Sequence, residues 1–166
     1  MSLALPAFDE VRALSCPLEQ VVPADFADAN GHMNIVRYME LHNEAVWRHM
    51  TLFRLGEHHA AAGETSTFQV EHHLHYLREV RVGDRVAVHI RLLGRSERAL
   101  HTMQFLLNLD RAEIANTLEK ISVGVDLATR RSAPFPVEVT ELLDAQLKVD
   151  QALAWPVPLA GPMRPR

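Results

Sequence analysis

The sequence predicts an α+β domain in which an antiparallel sheet of about five strands wraps around one long helix. Three observations carry that expectation. Apolar residues between Ile35 and Phe53 recur close to helical spacing. From Phe68 onward the period changes to two and stays there through four segments. The turns between those segments are short, which only antiparallel neighbours allow.

Residues 1 to 17 carry two prolines and little periodicity, and read as an N-terminal extension. "LEQVVP", Leu18 to Pro23, reads as a short first strand stopped by its proline. The helix follows, with Ile35, Tyr38, Met39, Val46, Met50 and Phe53 as its apolar positions and Gly56 just beyond its end. After a loop rich in Ala, Gly and Thr, alternation places Phe68, Val70, His72, Leu74 and Tyr76 on one face of a strand. "RVAVHIRLL" puts Val86, Val88, Ile90 and Leu92 on one side, and "HTMQFLLNL" does the same with Met103, Phe105, Leu107 and Leu109. Residues 117 to 126 complete the set, with turns at Gly83-Asp84, Gly94 and Asp110-Arg111. Residues 138 to 153 suit a second, shorter helix, and the proline-rich end after Trp155 suits an extended or mobile tail. The expected division is a main domain over residues 1–137 and a helix with its tail over 138–166, without internal repeats.

The balance of 48% hydrophobic and 23% charged residues in 166 is that of one ordinary globular domain. The only cysteine, Cys16, has no internal partner, and no leader-like segment opens the chain, so a cytoplasmic location is expected. No apolar run approaches the roughly 20 residues that cross a bilayer. A net charge of −4 gives no general electrostatic attraction to nucleic acid. Neither a membrane nor a nucleic acid is an expected partner.

The helix is preceded by "DANGHMN", residues 28 to 34, which crowds Asp28, Asn30, His32 and Asn34 around Gly31. A helix start leaves amide N–H groups unfilled, and Asn34, or Asn30 a turn earlier, can cap them. A cap needs one acceptor and the loop offers four, so the excess points to chemistry. Unfilled N–H groups and the helix dipole can hold a developing oxyanion, while Asp28 attacks a carbonyl or deprotonates water. His32 and Asn30 can orient the water or the acid.

"D-x-N-G-H-M-N" followed by Tyr38, together with "HHLHYLREVRVGDRVAVHIRLLG" over residues 72 to 94, resembles the hotdog-fold acyl-CoA thioesterases of the 4-hydroxybenzoyl-CoA thioesterase type. The spacing of helix and strands over residues 18 to 136 fits the same family. The resemblance implies that Asp28 is catalytic and that the backbone amides of Asn34 and Ile35 polarise the thioester carbonyl. It also implies an acyl-CoA substrate, no cofactor, and a homodimer or homotetramer with each pocket shared between subunits. "GHMN", "YLREVRVGD" and "RRSAPFP" look most like the branch with betainyl-CoA thioesterases, although Ala29 stands where many of that group carry an aromatic residue. The Asp28, Asn30, His32 pattern is also similar to plant acyl-ACP thioesterases, where a glutamate like Glu79 joins the site.

Six arginines lie between Arg78 and Arg98 against Glu79, Asp84 and Glu97, and most belong to a solvated strand face. One or two, with Arg78 and Arg81 nearest the motif, can hold the phosphates of coenzyme A. Tyr38 joins Arg78 and Arg81 as an expected substrate-binding residue. His72 alternates away from His73 and His75, and His58-His59 has no ligand-spaced partner, so no metal is expected. Two rivals remain: a hotdog hydratase or dehydratase of acyl-CoA, and a non-catalytic acyl-CoA sensor.

Overall fold

The computed structural model describes residues 4–62 and 65–161. Its core is one antiparallel sheet in the order β1-β3-β4-β5-β2. The strands are β1 (Ser15–Val21), β2 (Thr65–Tyr76), β3 (Arg85–Arg95), β4 (Ala99–Asn108) and β5 (Glu113–Asp126), and a two-residue β6 (Arg131–Ser132) pairs with β5. The long helix α2 (Ile35–Met50) lies across the inner face, mainly over β1, β3 and β4. This is the hotdog arrangement. Two short helices, α1 (Phe8–Arg12) and α3 (Glu57–Ala61), and a longer α4 (Val137–Gln151) complete the chain. None of the helices is long and apolar enough to cross a membrane among the described residues.

Helix α2 starts where Asn34 leaves the helical conformation and its side chain accepts the Val36 N–H at 2.9 Å, which makes Asn34 rather than Asn30 the N-cap of the two that the sequence offers. It ends in a tight turn over Thr51–Phe53, closed by Arg54 in the left-handed conformation. The β2–β3 connection turns at Gly83, whose φ of +88° only glycine adopts without strain. Asp84 stabilises that turn by accepting the Arg81 N–H at 2.9 Å.

Between α2 and the sheet, Tyr38, Leu41 and Ala45 pack on Leu18, Val86, Val88, Ile90 and Leu106. The C-terminal half of α2 and the turn after it share a second cluster with α4, where Met50, Phe53 and Leu55 meet Val139, Leu143 and Leu147. The outer face of the sheet is covered too. Met103, Phe105 and Leu107 meet Val11 and Leu14 from the N-terminal segment and Trp155 from the C-terminal one. Complete burial of a ring like Phe105 contributes about 1.5–3 kcal/mol, so α1 and the tail protect a real share of stability.

Several expectations need correction. The buried stripe of α2 is Tyr38, Leu41, His42, Ala45, His49 and Met50, whereas Ile35 is exposed at the helix start. Residues 1–17 are not featureless, because α1 and the first residues of β1 lie there. A bulge between Gln69 and Glu71 breaks the alternation of β2, so Phe68 and His72 do not share a face. Every residue of β4 is buried, since both faces of that central strand are covered. Of the two alternatives for the segment after Trp155, the extended one holds through residue 161 and the segment is docked, with the Ala160 N–H donating to the Glu119 carboxylate at 2.7 Å; residues 162–166 lie outside the described residues.

Candidate active site at the start of the long helix

The loop ahead of α2 is built by its own backbone. Ala27 and Met33 form an isolated antiparallel bridge, and the Met33 N–H donates to the Val80 carbonyl at 2.7 Å. Between them the chain reverses: the Asp28 N–H donates to the His32 carbonyl at 2.9 Å and the Gly31 N–H to the Asp28 carbonyl at 3.1 Å. Gly31 sits at φ +81°, the conformation that glycine makes free of strain.

Within that loop Asp28 and its neighbours converge. One carboxylate oxygen accepts the Asn30 N–H at 2.8 Å, and the other lies 3.4 Å from the Asn30 Nδ2 and 3.6 Å from the His32 Nδ1. The Asn30 N–H above all, then its side chain and the His32 ring, hold the Asp28 carboxyl below the usual carboxylate range against the opposing effect of desolvation. Asp28 is therefore ionised at neutral pH, ready to attack a carbonyl or accept a proton. The same bonds also form an Asx turn, so Asp28 shapes the loop as well.

Asn34 is committed to structure. Its side-chain oxygen caps α2, and its own N–H donates to the Phe26 carbonyl at 2.8 Å, so it cannot serve as one of two free oxyanion donors. The Val36 N–H is taken by the cap, which leaves the Ile35 N–H as the helix-start donor without an acceptor among the described residues.

A cavity of about 290 Å³ opens beside this helix start, lined by His32, Met33, Ile35, Tyr38, Tyr76, Leu77, Arg78 and Glu79. Asp28 and Asn30 do not line it in the single chain; His32 stands between Asp28 and the cavity. Tyr38 is buried and meets the exposed Tyr76 edge to face, with centroids 5.1 Å apart and planes at 88°. Tyr76 and Leu77 are the wall residues that sequence reasoning passed over; the only signal was an aromatic at a strand end, two residues before Arg78. A larger cavity of about 640 Å³ lies on the other side of residues 76–78, where Tyr76, Leu77 and Arg78 line both.

The arginines divide sharply. Arg81 pairs with Glu79, Arg85 with Asp110, and Arg95 with Asp144. Arg91 is no surface residue at all: it is buried, stacks on Trp155 and donates to the carbonyls of Asp150, Leu153 and Trp155. Arg98 donates to the Ser132 carbonyl. Arg78 donates to the Leu77 carbonyl at 2.8 Å, keeps only a loose carboxylate contact, with Glu113 at 3.8 Å, and faces both cavities.

Under the site, the inner face carries an unexpected polar group. His42 places Nε2 2.5 Å from the Asn116 Oδ1 and Nδ1 3.0 Å from the Gln104 Oε1, and burial pushes its pKa down to about 4. His49 is lowered to about 4, chiefly by burial and further by the Lys120 cation. Lys120 is itself buried, pushed down to about 8 by desolvation, and has no carboxylate partner among the described residues. No cluster of three metal-ligating side chains occurs among the described residues.

Comparison with known proteins accords with this geometry. The family model described as thioesterase-like superfamily matches residues 21–143. A betainyl-CoA thioesterase of Pseudomonas aeruginosa is 32% identical over 140 residues, covering 84% of this chain and 87% of that protein. An L-carnitine dehydrogenase/betainyl-CoA thioesterase of Agrobacterium fabrum is 32% identical over 126 residues, covering 76% of this chain but 26% of its own length, so the chain spans about a quarter of that relative. Among solved structures, a hypothetical protein of Staphylococcus aureus in complex with CoA superimposes with a TM-score of 0.80 at 25% identity, covering 91% of this chain and 96% of that one. With the family model covering the loop, α2 and strands β2 to β5, the chain belongs to the thioesterase-like superfamily.

Proposed function

We propose that this protein hydrolyses the thioester bond of an acyl-CoA, releasing a free acid and CoA. The observation that carries the proposal is an ionised Asp28, in contact with the cavity-lining His32, on the loop that leads to the unfilled Ile35 N–H in the wall of the 290 Å³ cavity. The Ile35 N–H, aided by the helix dipole, would take the charge that develops on the carbonyl oxygen. In the general-base route, water adds to the carbonyl carbon, its proton passes to Asp28, and the C–S bond breaks as the departing thiolate takes that proton. In the nucleophilic route an Asp28 oxygen forms the new C–O bond as the C–S bond breaks and CoA leaves as a thiolate, and water then cleaves the anhydride, releasing the acid and restoring the Asp28 carboxylate, with the water's protons passing to the thiolate and solvent. His32 and Asn30 hold the Asp28 carboxylate in place for either. Asn34 contributes by starting the helix.

The two tyrosines and Glu79 favour an acyl group that carries a trimethylammonium, the kind of group present in the substrate named for the Pseudomonas aeruginosa relative. A quaternary ammonium against aromatic rings gains on the order of 2 kcal/mol when desolvated. Arg78 is the best candidate for a phosphate of CoA, which would lie in the larger cavity. Strand β2 is a sheet edge with Phe68, Val70 and Tyr76 exposed, and pairing that edge with a second copy would cover them and bring a second wall to each cavity. A homodimer, or a tetramer of two such dimers, in the cytoplasm completes this reading.

Detection of free thiol over a panel of acyl-CoAs tests it. Short, branched, aromatic and betainyl acyl-CoAs should be compared with wild type and Asp28→Asn. The variant should lose about 100-fold or more in kcat, with a melting temperature near that of wild type. A folded Asp28→Asn with near-normal CoA release sinks the assignment of Asp28 and shifts attention to Glu79, which lines the cavity. Loss of acyl-CoA without thiol release would favour a hydratase, and binding without turnover a sensor.

A further inference from the structure

The wall residue Tyr76 sits at the end of an edge strand, and edge strands are poorly held on their open side. Something must keep it against Tyr38. The residues behind it do so in an unusual way. In the sheet register Tyr76 of β2 stands opposite Asn116 of β5, and the Asn116 Nδ2 donates to the carbonyl of His75 at 2.9 Å. With its Nδ2 so committed, Asn116 must present Oδ1 to the His42 Nε2 at 2.5 Å. A buried neutral imidazole has one N–H, and Asn116 fixes it on Nε2. The remaining ring nitrogen is then an acceptor, and it faces Gln104, whose amide has an unpartnered Nε2 as placed; turning that amide satisfies both. His42 is one turn after Tyr38 on the same buried face of α2.

We infer that His42 is a positioning residue: through Asn116 it ties the backbone at His75 to α2, and so holds Tyr76 against Tyr38 in the wall of the cavity that would take the acyl group. The side chain touches neither cavity, being fully buried and absent from their walls. Its effect on substrate passes entirely through the two tyrosines. Burial keeps the ring neutral through the physiological range, so the tie does not depend on its charge. A hydrophobic residue at position 42 would fill the core equally well, yet it would leave Asn116 and Gln104 with unmatched polar atoms and would release β2 from the helix.

The inference rests on the thioesterase reading for its kinetic consequence but not for its structural one, and the test keeps the two apart. Wild type, His42→Leu, His42→Gln and a control, Leu143→Ala, should be compared. The control removes a fully buried side chain from the α4 cluster, distant from the cavities, and destabilises without touching the tie. Each protein is assayed with the best acyl-CoA of the panel and with its analogue one methyl group larger at the acyl end. His42→Leu should lose discrimination between the two by about fivefold or more, through KM, and His42→Gln, which keeps an N–H donor, should recover part of it. Leu143→Ala should discriminate as wild type does. Hydrogen exchange gives the second readout and needs no turnover: amides of Tyr76 and Leu77 should exchange at least tenfold faster in His42→Leu than in the control. Unchanged discrimination in His42→Leu, or equal exchange at Tyr76 and Leu77 in both variants, overturns the positioning role. If wild type cleaves no acyl-CoA, the thioesterase reading fails, and the exchange comparison alone decides whether His42 holds this wall. If His42→Leu does not fold, His42→Gln and Asn116→Ser enter the same comparisons.

Discussion

Acidification should destabilise this protein chiefly through its buried histidines. His42 and His49 are each lowered from 6.5 to about 4 in the folded chain, mainly because burial penalises the imidazolium. Between those values the unfolded chain binds protons that the folded chain refuses, so stability is full above pH 6.5 and falls as pH drops toward 4. For one group moved from 6.5 to about 4, the loss at pH 5 comes to about 2 kcal/mol, and for the pair about 4 kcal/mol. His89 is lowered by burial as well and acts in the same direction. Asp28, Asp110, Asp126 and Asp144 are all lowered, so their stabilisation is lost only at more acid pH, whereas Asp150 is raised by burial and takes up its proton more readily in the folded chain, which offsets part of the loss toward the acid end of the window. Urea unfolding at pH 7.5 and pH 5.0 measures the effect. With a slope of about 2 kcal/mol per molar, the midpoint should fall by about 2 M. The double variant His42→Gln/His49→Phe should shift much less between the two pH values, whatever its absolute stability. A wild-type midpoint that moves by less than about 0.5 M, or a double variant that moves as far as wild type, refutes the account.

Other outcomes follow from single contacts. Asn34→Ala removes the oxygen that accepts the Val36 N–H and should cost about 1 kcal/mol by denaturant unfolding, with any hydrolytic activity reduced only as far as the helix start frays. Arg78→Ala should weaken acyl-CoA binding and flatten its dependence on salt, because exposed charge contacts are screened beyond about 8–10 Å; Arg81→Ala, whose guanidinium is already paired with Glu79, should do so far less. Light scattering at micromolar concentration should give a dimer or larger, and Val70→Lys on the exposed edge should shift the protein toward monomer; a wild type that is monomeric rules out the shared edge.

The sequence by itself determined the principal elements and their order, though not the short α1, α3 and β6. Period-3.6 spacing placed α2, period-2 spacing placed β2 to β5, and Asn34 announced the helix start, because these signals depend on local geometry that each residue type carries with it. The polar loop from Asp28 to Asn34 was legible for the same reason: a surplus of acceptors at a helix start is visible in one dimension. What the sequence could not assign was partnership. Asn34 spends its own N–H on Phe26 and Arg81 its charge on Glu79, both local choices that several geometries would satisfy. Arg91 looked like one more strand-face cation, and only the fold brings Trp155 and three carbonyls around it from more than 55 residues away. The helix face was misphased for a related reason. Counting apolar residues gives no credit to His42 or His49, and a histidine can be buried only when the tertiary structure supplies polar partners for its ring, as Asn116 and Gln104 do for His42 across 74 and 62 residues. Burial of both faces of β4 likewise required two chain ends to meet on the outer side of the sheet, and hydrophobic period reports which residues avoid water without saying what covers them.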